Sequence, residues 1–221
     1  MKISEIKGLK YPNESFIKYF FNMGFQNSQS KKFIEFGSSN GNNLALPYQY
    51  NHQVIGIDID PILTQFANDN FKLYEGESDF NFYTQDMMSF INNHKNLNVD
   101  VFLLPNIINY LSKLDFISFL KLSREKNIYK DGADFFLRAR SIKDFRFAKG
   151  EKLEENSYCL DDSITGEDGA ICTCYQEFEL IDILREHLNL SSFKVFSHES
   201  QNLHSDIIVN NSDIVIWGNI H

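Results

Sequence analysis

Acidic residues follow three separate apolar runs of this chain, and the first of them lies beside two glycines. Glu35 belongs to the segment EFGSSNG, which contains Gly37 and Gly41. Asp58 ends the run QVIGID, and Asp86 follows the run NFYTQ. An ionised carboxylate has only acceptor oxygens, so Asp58 is suited to bind both hydroxyl groups of a ribose. Together these residues predict a binding site for a ligand that carries a ribose.

The glycines of this segment have a functional and a structural interpretation. Gly37 lets the backbone pass close beneath a ligand, and Gly41 tolerates backbone angles that other residues resist. The helix that follows presents free N–H groups in its first turn. The alternative is a turn that needs glycine for packing alone, with acidic residues that merely follow strands.

The elements that must position these residues form an alternating pattern. Short apolar runs alternate with longer amphipathic segments, which is typical of a parallel sheet with crossover helices. Strands are predicted over 32–36, 53–58, 79–85, 99–104, 133–138, 191–197 and 213–217. Helices are predicted over 13–23, 112–128 and 176–188, with two more that end near residue 50 and start at Asp60. We expect one domain over residues 1–221, with an irregular insertion at about 141–175.

Composition excludes several classes of protein. The chain has 221 residues, of which 43% are hydrophobic and 14% aromatic, so a disordered chain is excluded. Its net charge of −9 argues against a nucleic-acid-binding protein that relies on bulk charge. The start MKISE lacks the apolar core of a signal peptide, and no run has the length of a membrane span. With three cysteines, we therefore expect a cytoplasmic monomer or homodimer with neither a membrane nor a nucleic-acid partner.

The glycine segment resembles the first motif of the class I S-adenosylmethionine-dependent methyltransferase family. Members of that family carry an acidic residue at the end of the first strand, followed by Gly-x-Gly-x-Gly. The corresponding residues are Glu35, Gly37, Ser39 and Gly41, with Ser39 in the place of the middle glycine. The resemblance implies that these four residues belong to a cofactor site.

Three later positions agree with the same family. Asp58 ends the second strand, and Asp86 follows the third. The resemblance implies that Asp86 meets the adenine amino group while the Met87 N–H meets a ring nitrogen. The fourth strand runs into Asn106, a further cofactor-site position. The agreement spans about residues 30–140.

This resemblance implies both a fold and a cofactor. The fold is an α/β, Rossmann-like, seven-stranded and mostly parallel sheet, with helices on both faces and an antiparallel last strand. The cofactor is S-adenosyl-L-methionine, and the product is S-adenosyl-L-homocysteine.

A nicotinamide dinucleotide site is the nearer rival. Its glycines follow the pattern Gly-x-Gly-x-x-Gly around a pyrophosphate, whereas Gly41 falls one residue short of the last position. Glu35 would repel a diphosphate, while S-adenosylmethionine carries a cationic amino group and a cationic sulfonium. The charge of Glu35 therefore favours methyl transfer over hydride transfer.

A cluster of cations follows the predicted fifth strand and suggests where an acceptor binds. Ligands of open parallel sheets bind at the carboxyl ends of the strands, where Arg138, Arg140 and Arg146 are expected. Arginine forks suit phosphate or carboxylate groups, so an anionic acceptor is predicted near the 141–175 insertion. The alternative is a solvated charged loop paired with Glu151, Glu154 and Glu155, three acidic residues of the same segment.

Other candidates for the acceptor site are aromatic or titratable. Tyr110 follows the fourth strand, and Tyr11 precedes a predicted N-terminal helix that closes over the cofactor in the resembled family. His198 and His204 flank the sixth strand, and one of them could act as a general base, as could Tyr110. The alternatives are packing roles for the two tyrosines and surface positions for the histidines.

The resulting hypothesis is a methyltransferase that acts on a small, anionic acceptor. A phosphorylated or nucleotide-linked sugar is the candidate acceptor, with O-methylation preferred over N-methylation. An NAD(P)-dependent oxidoreductase and a catalytically silent S-adenosylmethionine-binding subunit are the alternatives. No metal is predicted, because Cys172-x-Cys174 lacks a second pair of ligands.

Overall fold

The computed structural model describes residues 2–74 and 76–221. Across these ranges, seven strands form one sheet in the order β3-β2-β1-β4-β5-β10-β9 and three more form a small second sheet. In chain order the strands are β1 Lys32–Phe36, β2 Gln53–Asp58, β3 Phe80–Thr84, β4 Val99–Pro105, β5 Tyr129–Arg140, β6 Glu151–Glu154, β7 Ser157–Cys159, β8 Ile171–Thr173, β9 Ser191–His204 and β10 Ile207–Ile220. Only β10 runs antiparallel within the large sheet, and it pairs with β5 on one side and β9 on the other. The predicted fold class is confirmed.

Helices cover both faces of the large sheet. They are α1 Glu14–Asn22, α2 Ala45–Gln49, α3 Pro61–Phe71, α4 Met87–Asn93, α5 Lys113–Glu125 and α6 Glu177–Leu188. Asn13 caps α1, and Asp60 caps α3 with Pro61 at the first helical position, as the sequence predicts. The sequence prediction omits α4, because about two turns of helix are too short to show an amphipathic period.

The central strand β4 separates two apolar layers. Phe102 and Leu104 pack with α4, α5 and α6, whereas Val101 and Leu103 pack with α1, α2 and α3. Both sets of side chains are completely buried. This explains why 99–104 reads as a continuous apolar run, since a parallel strand with two covered faces has no polar side. No helix within 2–74 and 76–221 has the length and apolar character needed to cross a membrane.

The structure differs from the prediction in its carboxyl-terminal half. β9 and β10 each have 14 residues and form a hairpin that is longer than the predicted runs 191–197 and 213–217. Leu203 is the one apolar residue that β9 adds over 198–204, and β10 adds Ile207, Ile208 and Val209. Polar residues at 210–212 separate these three from the predicted run 213–217. The predicted irregular insertion 141–175 is also wrong in part. It contains the antiparallel sheet β6-β7-β8, held around a small cluster of Leu160, Cys172 and Cys174.

Candidate functional site

A cavity of about 700 Å³ opens at the carboxyl ends of β1, β2 and β4. Glu35, Gly37 and Asp58 line it together with Ser39 and Asn106, all of which the sequence nominated for one site. An apolar recess of about 220 Å³ adjoins it and shares Gly37 and Asp58. The tertiary structure therefore brings residues from three strands to one edge, as a parallel sheet requires.

Glu35 is the most unusual residue of this cavity, because its carboxyl group is buried. The side chain is 1% exposed, and its Oε1 accepts a hydrogen bond from Asn43 Nδ2 at 2.8 Å. Its Oε2 has no hydrogen-bond partner among residues 2–74 and 76–221. Burial raises the pKa of Glu35 to about 8, the Asn43 bond opposes this rise, and the negative charge of Asp58 adds to it. A cation at Oε2 would satisfy both the orphaned oxygen and the buried charge.

Asp58 organises the turn opposite. Its Oδ2 accepts the Ser39 N–H at 2.7 Å, and its Oδ1 accepts the Asp60 N–H at 3.0 Å. Each oxygen keeps a second lone pair, so the carboxylate is fixed in place and can still accept ligand hydroxyls. Ser39 adopts a positive φ of 51° to make its bond. Ser39, which stands in place of the middle glycine of the resembled motif, is therefore in a backbone conformation that is strained for a non-glycine residue.

The two glycines of the turn have different reasons to be glycine. Gly37 has a φ of +71° and lines both cavities, and an added Cβ would lie 2.8 Å from Ile107 Cδ1. Gly41 has a φ of +76°, and its Cβ would clash with Phe71 and Phe82 in the core. Packing thus accounts for Gly41, which lines neither cavity within the described chain, while Gly37 forms part of the wall of both.

Asp86 and Met87 line the apolar recess at the start of α4. Asp86 caps this helix by accepting the Ser89 N–H at 2.8 Å. The Ser89 side chain lowers the pKa of Asp86 most, and the backbone N–H of Ser89 lowers it further. Met87 is the first residue of the helix, where a backbone N–H has no intrahelical acceptor. The recess therefore combines apolar walls with an ionised acceptor and a free donor at its rim.

A third, polar cavity of about 230 Å³ lies beyond the first one. It shares Asn106 and Tyr110 with the large cavity, and Arg138, Arg140 and Arg146 line it, as the sequence predicts. Asn106 has a positive φ of 58° and donates its N–H to the Arg138 carbonyl at 2.8 Å, which fixes the junction. The two cavities therefore adjoin at the carboxyl ends of β4 and β5.

The three arginines are not free, because each is bonded to a carboxylate. Arg138 donates from Nε and Nη2 to Asp213 Oδ2 at 2.9 and 2.6 Å. Arg140 and Arg146 share Glu167, and Arg146 also donates to Asp144 at 3.1 Å. The predicted alternative partners Glu151, Glu154 and Glu155 do not fill these roles within the described residues. Three opposite charges thus balance the cluster.

The tyrosines and histidines are placed differently from one another. The Tyr110 hydroxyl donates to Glu167 at 2.7 Å and accepts from Arg140 Nη2 at 3.2 Å, so its proton is already engaged. Tyr11 is 69% exposed and lines the large cavity. His198 and His204 lie on β9, and neither lines any of these three cavities within the described chain. The predicted role of a histidine as base therefore has no geometric support.

Sequence reasoning missed two groups of site residues. Asparagines at positions 40, 42 and 43 connect the glycine turn to the N-terminal segment, as described below. Asp213 and Asn211, on β10, line the polar cavity opposite the arginines. The abundance of asparagine after the glycines was the available signal for the first group. Asn211 lies before the predicted strand 213–217, and Asp213 begins it; Asp213 reaches the cavity because β10 pairs with β5 opposite Arg140. Across the described ranges, no group of three or more His, Cys, Asp or Glu side chains is placed to hold a metal.

Comparisons with known proteins identify the fold. No family model matches the sequence, and no curated protein matches it. Among solved structures, an S-adenosylmethionine-dependent methyltransferase from Methanosarcina mazei has a TM-score of 0.67 and 15% identity, covering 89% of this chain and 96% of its own. One from Archaeoglobus fulgidus has a TM-score of 0.59 and 12% identity, with 92% of each chain covered.

A third solved structure carries bound ligands. It is 1,6-didemethyltoxoflavin-N1-methyltransferase from Burkholderia thailandensis, with 1,6-didemethyltoxoflavin and S-adenosylhomocysteine bound. Its TM-score is 0.61 at 10% identity, covering 94% of this chain and 77% of that one. The chain therefore has the class I S-adenosylmethionine-dependent methyltransferase fold.

Replacement of Ser39 by glycine is expected to stabilise the protein. A left-handed backbone conformation destabilises a non-glycine residue by about 1–2 kcal/mol, and glycine removes this strain. Part of that gain is lost because glycine has greater conformational freedom in the unfolded chain. Ser39→Gly should therefore raise the free energy of unfolding by roughly 0.5–1 kcal/mol in urea titrations. Ser38→Gly is the matched control, since φ is positive at Ser39 but not at Ser38 among the described residues, and it should destabilise. Equal effects of the two changes would contradict this account.

Glu35 is expected to make the stability of the ligand-free protein fall as pH rises. The folded pKa of about 8 lies above the usual value of 4.5, so the folded state holds more protons between these values. Stability is therefore lost from about pH 4.5 to about pH 8, by up to about 1.4 kcal/mol per pH unit. Glu35→Gln should reduce this loss, measured as unfolding free energies at pH 5.5 and 8.5. A pH dependence identical to that of the wild type would show that Glu35 is not protonated in the fold.

Proposed function

We propose that this chain is a methyltransferase that uses S-adenosylmethionine as methyl donor. The main support for this proposal is the buried carboxyl group of Glu35, whose Oε2 has no hydrogen-bond partner in the described chain. Glu35 lines the same cavity as Asp58. This arrangement calls for a ligand that carries both a cation and hydroxyl groups. S-adenosylmethionine combines an amino group and a ribose in this way, and the cavity and its recess together offer a polar and an apolar end.

The residues present fit this cofactor. Glu35 Oε2 would accept from the methionine ammonium group, and the free lone pairs of Asp58 would accept from the ribose hydroxyls. Asp86 and the Met87 N–H would bind the adenine edge in the recess. Gly37 would lie beneath the ligand, in a cavity wall where the Ile107 side chain leaves no room for a Cβ. When bound, the cofactor supplies a methyl group activated by a positively charged sulfur.

The two alternative functions each meet a physical objection. A dinucleotide would bring a diphosphate to the turn at Glu35 and Asp58, where the negative charge of Asp58 already adds to the raised pKa of Glu35. A silent cofactor-binding subunit needs no second pocket, whereas here a polar cavity adjoins the cofactor cavity at Asn106 and Tyr110. Methyl transfer to a small acceptor accounts for both cavities.

The charge balance of the polar cavity refines the class of acceptor. Arg138, Arg140 and Arg146 are neutralised by carboxylates, so the predicted preference for an anionic acceptor loses its electrostatic basis. The cavity wall alternates fixed donors and acceptors, which suits an uncharged molecule with several hydroxyl groups. We therefore favour O-methylation of a small sugar-like acceptor over a phosphorylated one.

Asp213 replaces the histidines as the candidate proton acceptor. Its Oδ2 is held by Arg138, while its Oδ1 has no hydrogen-bond partner in the part of the chain that the structure describes. Burial raises the pKa of Asp213, and Arg138 opposes that rise. With an acceptor hydroxyl bound in the cavity, Oδ1 would take up the proton that the hydroxyl loses on O-methylation, and Arg138 would keep the carboxyl group in place. Positioning supplies most of the rate, because aligned groups reach effective molarities of about 10⁵ M or more.

Asp58→Ala is expected to weaken binding of S-adenosylhomocysteine. Loss of a charged acceptor costs about 1.5–3 kcal/mol, which is roughly a 10- to 150-fold rise in Kd by calorimetry. Asp60→Ala is the matched control, because its side chain caps α3 at the Ile62 N–H and lines neither cofactor cavity within the described residues. That control should lose about 1 kcal/mol of stability and keep its affinity. An unchanged Kd in Asp58→Ala would remove the ribose assignment.

Asp213→Asn is expected to separate catalysis from cofactor binding. Removal of a general base lowers turnover about 10²- to 10⁴-fold. The affinity for S-adenosylhomocysteine should equal that of the wild type within experimental error. Of the three cavities described, Asp213 lines the polar one and neither of the two assigned to the cofactor. The measurement is methyl transfer to a panel of sugars, polyols, sugar phosphates and amines, with calorimetry alongside.

Asp134→Asn provides the control for that prediction. Asp134 is also buried on the large sheet and bonded to a cation, Lys31, at 2.9 Å, but it lies in the middle of β5 and is not among the described residues that line the polar cavity. It should lose stability and retain turnover. Equal turnover losses in Asp134→Asn and Asp213→Asn would show that Asp213 acts only through the fold.

A further inference from the structure

One side chain bridges the cofactor cavity and the N-terminal segment. Asn43 Nδ2 donates to Glu35 Oε1 at 2.8 Å, and Asn43 Oδ1 accepts the Asn13 backbone N–H at 2.8 Å. Asn13 in turn caps α1 by accepting the Ser15 N–H at 2.9 Å. Both ends of the Asn43 amide are thus used, and each partner fixes its orientation. An aspartate at position 43 would place a second carboxylate against Glu35.

The segment 7–13 is held to the turn by side-chain amides rather than by apolar packing. Asn40 Nδ2 donates to the carbonyls of Lys7 and Leu9 at 2.7 and 2.9 Å. Asn70 both accepts from and donates to the Lys7 backbone, at 2.9 and 3.0 Å. Leu9 and Tyr11 are 59% and 69% exposed, yet both line the large cavity. The segment therefore forms a cavity wall with little apolar burial of its own.

We propose that Asn43 is a positioning residue that couples cofactor binding at Glu35 to the anchoring of segment 7–13. A ligand cation at Oε2 fixes the Glu35 carboxylate in its ionised form, which strengthens the bond from Asn43 to Oε1. The amide held in this way fixes the Asn13 N–H and with it the end of the segment. The inference rests on the proposed cofactor site, and it adds a coupled unit that the site alone does not require.

The coupling has a reciprocal consequence. If the ligand secures the segment, the secured segment must raise the affinity for the ligand by the same factor. It also has a signature in pH. Glu35 must release its proton to meet a cation, so ligand affinity rises with pH until the carboxyl is ionised in the ligand-free protein. Asp58 is the other charged group that acts on Glu35, and both face the same cavity.

The test uses S-adenosylhomocysteine with the full chain and two readouts. Calorimetric titrations from pH 6 to 8.5 give the pH profile of affinity, and amide hydrogen exchange gives the protection of residues 7–13 with and without ligand. Asn43→Ala should shift the rise in affinity to higher pH, because Glu35 loses a hydrogen bond that favours its charged form. Affinity at pH 7 should fall about tenfold for each unit by which the pKa of Glu35 rises. Ligand-dependent protection of 7–13 should disappear.

Asn70→Ala is the matched control. Asn70 is a buried amide that makes two hydrogen bonds to the same segment from α3, and none to Glu35 within the described residues. It should speed exchange in the ligand-free protein, as Asn43→Ala does, while leaving the pH profile in place. Loss of segment anchoring alone is thereby separated from the loss of the Glu35 contact.

Glu35→Gln tests the coupling from its other end. The glutamine oxygen can still accept from Asn43, but the side chain carries no charge for the ligand cation. Saturating S-adenosylhomocysteine should then fail to protect residues 7–13, and its weakened affinity should not change from pH 6 to 8.5. This variant carries the test even where Asn43→Ala does not fold.

The outcomes separate the coupling from the proposed function. An unshifted pH profile in Asn43→Ala, or protection of 7–13 that survives in Glu35→Gln, overturns the coupling and leaves the cofactor site standing. Wild-type protein that fails to bind S-adenosylhomocysteine at every pH overturns the proposed function instead, and the coupling with it.

Discussion

A carboxyl group buried at the end of a central strand is the constraint on which the cofactor side of this molecule depends. β1 lies between β2 and β4, so Glu35 has neighbours at Gly56 and Leu103 and cannot reach solvent along the sheet. Ionising a buried carboxyl group that has no partner costs several kcal/mol, whereas the protonated group has no charge with which to bind a cation. The Asn43 amide satisfies one oxygen, and the other is buried without a hydrogen-bond partner in the described chain, in a residue that lines the large cavity. In the ligand-free fold, binding of a cation next to Glu35 would therefore be favourable.

This constraint explains why polar side chains crowd the turn after β1. Ser39 accepts a left-handed backbone in order to bond Asp58, and the asparagines that follow bind the N-terminal segment as well as the turn. Amide hydrogen bonds contribute about 1 kcal/mol each, far less than the burial of an apolar side chain. A segment held in this way can respond to a ligand, whereas the same segment packed by leucines could not.

The polar cavity is built differently, from ion pairs between its arginines and carboxylates. Here the insertion supplies Glu167 and the long hairpin supplies Asp213, and each carboxylate binds an arginine at the end of β5. These ion pairs tie the small sheet to the large one at the rim of the polar cavity. Because they are charge-balanced, they give the cavity shape and hydrogen-bonding directions rather than a net field.

The sequence by itself determined most of the fold and predicted that Glu35, Gly37 and Asp58 lie together, as they do around the large cavity. Apolar runs such as 53–58 and 99–104 predicted strands, and the order of Glu35, Asp58 and Asp86 predicted one binding edge, because the carboxyl ends of parallel strands converge. These patterns involve residues close together in the sequence, so they can be recognised without knowledge of the tertiary structure.

Only the tertiary structure decided which polar groups are free. Arg138 reads as an available cation in the sequence, yet Asp213, far along the chain, neutralises it. Asn43 reads as a loop residue, yet it joins Glu35 to Asn13. Gly41 reads as a ligand glycine, yet it is required by Phe71 and Phe82. Pairing and packing of this kind join residues distant in sequence, and their partners are set by the topology of the sheet rather than by any period in the chain.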